Sequence, residues 1–326
     1  MSNLIWNKVE DPRYKFKKDL AWHNVTYNFH SLNFESDYER SCILSERYKT
    51  FMDHIVNYEV RADDIWITTY PKSGTTWCQE MVWLINNDFK FDVAKEMPIS
   101  ARSPTLREII SSKSDIERKN VFMTVSEQKN YDPPYHIKNH LPLGLLPHSI
   151  WTVKPKMIYV ARNPKDVAIS FYNQYRLAYQ FDGTKDEYFS LFLDGFAEFG
   201  LQTSHILDFW RLRNEPNVLF LTYEEMKHNL KDVILRVVKF LGKSINDAQM
   251  TGLIEHLNID NMRKNVVVIQ EWVGNEHLKL MQNAFYRRGE SGAFKDEMSS
   301  EFVAKFDEHI KRELTDKGCD LYSNGN

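Results

Sequence analysis

The chain has 326 residues, 42% hydrophobic and 27% charged, enough to bury a full core in one large domain spanning 1–326. Its 42 Lys and Arg against 45 Asp and Glu leave a formal net charge of -3, so no global basic field draws it to nucleic acid and any anion site must be local. Cys42, Cys78 and Cys319 lack Cys-x-x-Cys spacing, which fits neither a disulfide framework nor a zinc site and suits a reducing compartment.

The first twenty residues break their few apolar positions with charges, unlike the apolar centre of a secretory signal. No later stretch approaches the roughly 18 consecutive apolar residues of a membrane span, so the expected address is cytoplasmic, with no membrane partner. Residues 1–44, rich in aromatics and charges but poor in periodicity, read as an extended arm. It enters a helix around Ser45 to Asn57, where Tyr48, Phe51, Met52, Ile55 and Val56 recur at helical spacing.

The short, β-branched and aromatic segment from Asp64 to Tyr70 ends at Pro71, and a helical run from Thr76 to Ile85 follows Gly74. The linking residues, Tyr70-Pro71-Lys72-Ser73-Gly74-Thr75-Thr76-Trp77, gather a lysine, a glycine and three hydroxyls at a helix N-terminus. Free backbone N–H groups and the helix dipole favour an anion there. The lysine precedes the only glycine, so this is not the two-glycine loop that holds a nucleoside triphosphate with magnesium. Taken alone, the segment also reads as a plain turn capped by Thr75 or Thr76, with Lys72 solvated.

Residues 86–150 are irregular and include Pro98, Pro104, Pro133, Pro134, Pro142 and Pro147, which predicts lids and loops around a site. A second strand, Met157 to Ala161, turns at Asn163-Pro164 into a helix through Tyr172, with Asn163 as its N-cap. Arg162 then stands at the carboxyl edge of the sheet, where open α/β folds bind ligands, and its planar fork suits a phosphate. Ser170, two helical turns on, returns to nearly the same face, although a lone helix serine usually bonds back to its own helix.

The span from Asp186 to Arg213 reads as long helix loosened at Gly195 and Gly200. A third strand, Val218 to Thr222, precedes a helix from about Glu224 to Leu241 that stops at Gly242. Buried strands alternating with longer helices predict an α/β fold, a central parallel sheet with helices on both faces.

The two phosphate-type motifs resemble those of the cytosolic sulfotransferases. Tyr70 to Trp77 is similar to that family's 5'-phosphosulfate loop, and Tyr159-Val160-Ala161-Arg162-Asn163-Pro164-Lys165-Asp166-Val167-Ala168-Ile169-Ser170 to its 3'-phosphate motif. Arg287-Arg288-Gly289 through Lys295 resembles its C-terminal segment, and the matches run from about residue 45 to about 310. The resemblance implies 3'-phosphoadenosine 5'-phosphosulfate (PAPS) as co-substrate, with no metal. Lys72 would contact the sulfate oxygens, Ser73, Gly74, Thr75 and Thr76 the 5'-phosphate, and Trp77 and Tyr223 the adenine. Arg162, Ser170, Arg287, Arg288 and Gly289 would surround the 3'-phosphate.

Lys138-Asn139-His140-Leu141-Pro142 resembles the family's Lys-Thr-His-Leu-Pro, which implies His140 as catalytic base and Lys138 as a holder of the transferred group. A histidine titrates close enough to neutrality to take the proton of an acceptor hydroxyl. Leu257 and Ile259 stand where the family has threonine and phenylalanine near adenine, and Phe294 where it has tryptophan. The resemblance also implies a possible homodimer, but through a poorly matched motif, since Lys295 to Ser300 lacks the Thr-Val pair of the family's dimer segment.

The implied reaction is sulfuryl transfer to a hydroxyl of a small apolar acceptor such as a phenol, alcohol or steroid. Trp22, Phe29, Phe89, Phe91, Tyr131 and Tyr135, together with the 1–44 arm, are the expected pocket walls, although any single aromatic is more often plain core. Two alternatives keep the nucleotide site: a dehydratase working through a transient sulfate of an allylic alcohol, and a binding protein without turnover. A nucleotide kinase would need the other glycine spacing, and a Golgi carbohydrate sulfotransferase a membrane anchor.

Overall fold

The computed structural model describes residues 4–16, 21–29, 38–113, 133–264 and 289–323. Its first element is a three-stranded antiparallel sheet, β1 (Ile5–Lys8), β2 (Trp22–Phe29) and β3 (Tyr38–Ser45), in that order. Among its described residues, the irregular arm expected over 1–44 is thus largely β-structure. Its pattern is obscured because β2 carries His23 and Asn24 among Trp22, Val25 and Tyr27, and only pairing with β3 orders it, Val25 opposite Cys42. Helix α1 (Glu46–Val56) follows and buries Phe51, Met52 and Ile55, the face its spacing predicts.

The second sheet is parallel and ordered β5 (His136–Asn139), β4 (Ile65–Thr69), β6 (Lys156–Ala161), β7 (Val218–Thr222). Both faces are covered, which is why its strands are apolar runs instead of alternating ones. Trp66, Met157, Tyr159 and Ala161 enter one core cluster, and Ile65, Ile67, Ile158 and Val160 the other. Helix α2 (Thr75–Asn86) packs Met81, Val82, Leu84 and Ile85 into the second cluster. Among the described residues between α2 and β5 are three short helices, α3 (Phe91–Glu96), α4 (Ile99–Arg102) and α5 (Leu106–Lys113). The expected loop region 86–150 therefore contains a central-sheet strand as well, hidden because β5 is four residues long and includes His136 and Lys138.

After the short α6 (Ile150–Val153) and β6, α7 (Pro164–Ala178) starts as predicted, with the Asn163 side chain accepting from the Lys165 N–H at 3.0 Å. Val167, Ala168, Ile169 and Phe171 bury its inner face in the first cluster. The long helix expected from Asp186 to Arg213 is two, α8 (Lys185–Leu193) and α9 (Gln202–Arg211). The break is real backbone chemistry: Gly195, Phe199 and Gly200 all have positive φ, and Gly200 lies against the Cys42 backbone, where a Cβ would come within 3.0 Å.

The helix expected over 224–241 also divides, into α10 (Tyr223–His228) and α11 (Leu230–Leu241), because Asn229 leaves helical geometry and caps the Asp232 N–H. Gly242 ends α11 in the left-handed conformation, as expected. Two helices, α12 (Asp247–His256) and α13 (Ile259–Lys264), follow, and the described C-terminal residues add a single turn, Phe294–Glu297, and the helix Ser300–Glu313. Among the described residues no helix is long and apolar enough to cross a membrane.

Candidate active site

All four parallel strands deliver a candidate residue at their carboxyl ends. β4 runs into Tyr70 to Gly74, β5 into His140, β6 into Arg162 and β7 into Tyr223. Side-by-side register, Thr68 with Asn139, Thr69 with Val160 and Ala161 with Thr222, brings these ends to one edge. That edge also presents the N-terminus of α2, whose N-cap is Gly74 itself, with no side-chain cap from Thr75 or Thr76. Gly74 has φ 96°, and a Cβ there would lie 2.8 Å from the Tyr223 ring, so the loop can turn only with glycine here.

Arg162 crosses this edge. Its guanidinium donates to the Lys72 carbonyl at 3.0 Å and to the Glu290 carbonyl at 3.0 Å, and lies 4.1 Å from the Tyr223 ring centre. Trp77 and Tyr223 meet edge to face at 5.6 Å, and the Trp77 indole N–H donates to the Leu257 carbonyl at 3.0 Å. Leu257 is buried in the second cluster, so its carbonyl, not its side chain, reaches this edge. Ile259 packs on Gly289, where a Cβ would come within 1.8 Å of Ile259 Cδ1. Ser170 is half-buried on α7. Arg287, Arg288 and Tyr131 lie outside the described residues.

The cations are crowded. Burial first, then Arg162 and Lys138, pull the Lys72 ammonium down to about 7. Burial also lowers Lys138, with Glu108 opposing. Two buried polar atoms of the same edge, Ser73 Oγ and Arg162 Nε, have no hydrogen-bond partner. Crowded cations and orphaned donors are what a polyanionic ligand would satisfy, so the residues present fit a nucleotide bearing 5'- and 3'-anionic groups.

His140 has a defined tautomer. Its Nδ1 lies 2.8 Å from the Thr69 carbonyl, which can only accept, so Nδ1 carries the proton and Nε2 the lone pair. Burial, then the Lys138 cation, push its pKa well below the ordinary histidine range, while the Thr69 bond opposes them. The ring packs on Phe199 at 5.6 Å, and the His205 Nε2 lies 3.3 Å from the His140 carbonyl. The arrangement is a neutral imidazole held by its back edge, able to accept a proton at its front.

Sequence reasoning missed several supports. Asp166 accepts from the Gly292 N–H at 2.7 Å and the Phe294 N–H at 3.1 Å, tying the segment after Gly289 to α7. Gln202 donates to the Arg162 carbonyl at 2.9 Å, and Thr69 Oγ1 lies 2.7 Å from Thr75 Oγ1. Of the expected pocket aromatics, Trp22 stacks on Tyr175, and Tyr135 is core. Phe89 and Phe91 pack instead in the second cluster, and the side chain of Phe29 lies outside the described residues.

The family described as Sulfotransferase domain matches residues 62–318. Luciferin sulfotransferase of Photinus pyralis is 35% identical over 88% of this chain and 82% of its own. Sulfotransferase 1A1 of Rattus norvegicus is 33% identical over 81% and 88% respectively. Among solved structures, retinol dehydratase in complex with androsterone and the inactive cofactor PAP is similar over 99% of both chains, with TM-score 0.77 and 25% identity. A mouse sulfotransferase complexed with PAP is similar over 87% of this chain and 93% of its own, with TM-score 0.65 and 24% identity.

Proposed function

Because the chain belongs to the sulfotransferase family and so is an enzyme of PAPS-dependent sulfuryl transfer, we propose that it forms a sulfate ester on a small apolar acceptor, with His140 as base. The second product is adenosine 3',5'-bisphosphate. The observation that carries this reading is the His140 tautomer, fixed by the Thr69 carbonyl near Lys138 and Lys72.

PAPS supplies a sulfuryl group on a phosphate leaving group, and the remaining chemistry belongs to the chain. His140 Nε2 takes the acceptor's hydroxyl proton as that oxygen attacks, and the Thr69 carbonyl steadies the resulting imidazolium through Nδ1–H. Lys72 and Lys138 hold charge at the transferred group and the leaving phosphate. Ser73, Gly74, Thr75 and Thr76 bind the 5'-phosphate at the α2 N-terminus, with Trp77 and Tyr223 against the base. Arg162, Ser170 and Gly289, with Arg287 and Arg288, read the 3'-phosphate.

The acceptor is a phenol, alcohol or steroid, and the N-terminal strands help to wall its pocket. Support comes from Phe199, which packs on His140 while its N–H donates to the β3 residue Ile43 at 2.8 Å and its ring meets Tyr48 at 5.9 Å. A cytosolic address agrees with three buried free cysteines. A second reading, dehydration of an allylic alcohol through a transient sulfate, is favoured by the similarity to retinol dehydratase over 99% of both chains. Incubation with PAPS and a panel of phenols, steroids and retinoids tests both, with products read by mass. A gain of sulfate supports transfer, a loss of water supports dehydration, and no conversion of any acceptor contradicts both.

A further inference from the structure

Behind the α2 phosphate loop lies a charged cluster that the transfer chemistry does not use. Glu80 on α2 is fully buried and takes two hydrogen bonds from the Arg102 guanidinium, at 2.5 and 3.2 Å. Arg102 comes from the end of α4, also donates to the Met97 and Ala94 carbonyls, and lies 4.6 Å from the Trp83 ring centre. The second Glu80 oxygen lies 3.3 Å from His256 Nε2, at the end of α12. A carboxylate so placed, with a fixed guanidinium on one side, can hold the imidazole N–H on the other.

His256 is followed by Leu257, whose carbonyl receives the Trp77 indole N–H, and Trp77 stands one turn before Glu80 on the same helix. The α12 end is therefore clipped to α2 twice, once at the Trp77 ring and once behind it. The His256 ring also packs on Phe91 at 5.7 Å, which places it between α3 and α2.

Resting on the nucleotide-site reading above, we propose that Glu80, Arg102 and His256 are positioning residues for the base half of the co-substrate. Through His256 they hold the Leu257 turn against Trp77, and so set the affinity for the purine without touching the phosphates or the transferred group. Leu257 presents an apolar side chain to the core, so its carbonyl is the contact this clip must aim.

Calorimetric binding of adenosine 3',5'-bisphosphate and of base-free ribose 3,5-bisphosphate to the full chain tests this. His256→Ala should weaken the adenosine ligand about tenfold and leave the ribose ligand and kcat within about twofold, while His256→Gln, which keeps an N–H donor, restores most of the affinity. Equal weakening of both ligands, or none of either, overturns the proposal. Should His256→Ala fail to fold, His256→Leu keeps the packing on Phe91 and loses the hydrogen bond, and the same comparison decides. If the wild-type chain binds neither ligand, it is the nucleotide reading that fails.

Discussion

At the scale of single residues, the site crowds like charges together, with Arg162 and Lys138 both acting on Lys72. Lys72 is held near 7 by burial and then by Arg162 and Lys138, and a bound sulfate or phosphate would return it toward the ordinary lysine value. Binding thus takes up a proton wherever Lys72 is neutral in the free protein. Affinity for adenosine 3',5'-bisphosphate is full below about pH 7 and falls above it, by up to about tenfold per pH unit. Lys72→Arg, whose charge does not titrate in that range, flattens the profile; calorimetry that finds the same slope in both proteins contradicts the account. Arg162→Ala should cost about 30- to 100-fold in affinity for the 3',5'-bisphosphate and much less for the 5'-monophosphate, and equal losses would remove Arg162 from the 3' side. Lys72, His140 and Arg162 were legible because their residue types recur in fixed local strings. Thr69, Asp166 and Gln202 were not, since each is an ordinary residue that acts through a hydrogen bond to a distant segment.

At the scale of elements, position follows from strand ends and caps. β4, β6 and β7 were readable as apolar runs, the first two ended by Pro71 and by Asn163-Pro164, and the Gly242 stop as a left-handed glycine. β5 was not, because its place in the sheet depends on pairing with β4, and neither was β2, whose polar positions conceal its alternation. The joint between α7 and the Gly289–Phe294 segment depends on Asp166, whose carboxylate takes two backbone N–H groups. Asp166→Ala should release that segment and weaken 3',5'-bisphosphate binding about tenfold or more, with 5'-monophosphate binding within about twofold. Unchanged bisphosphate affinity in a folded Asp166→Ala protein would show that the joint does not serve the site.

At the scale of the whole molecule, the buried histidines set an acid limit. Burial is the main reason that His136, His205 and His309 are each pushed down to about 4, from 6.5. A folded pKa below the unfolded one means that the unfolded chain binds more protons in the interval. Stability is therefore full above about pH 6.5 and is lost as pH falls toward 4, each group contributing up to about 1.4 kcal/mol per pH unit. Urea midpoints measured at intervals across that window should drop steeply, and a flat profile would mean that these histidines are not neutral in the fold.

Whether a neutral His140 deprotonates an acceptor beside a PAPS site is decided by one comparison. Single-turnover transfer of labelled sulfate from PAPS, without magnesium, is measured in wild type and His140→Ala alongside adenosine 3',5'-bisphosphate affinity. The rate should be about a thousandfold lower in the variant, with affinity within about twofold of wild type. Transfer near the wild-type rate in His140→Ala would contradict that role.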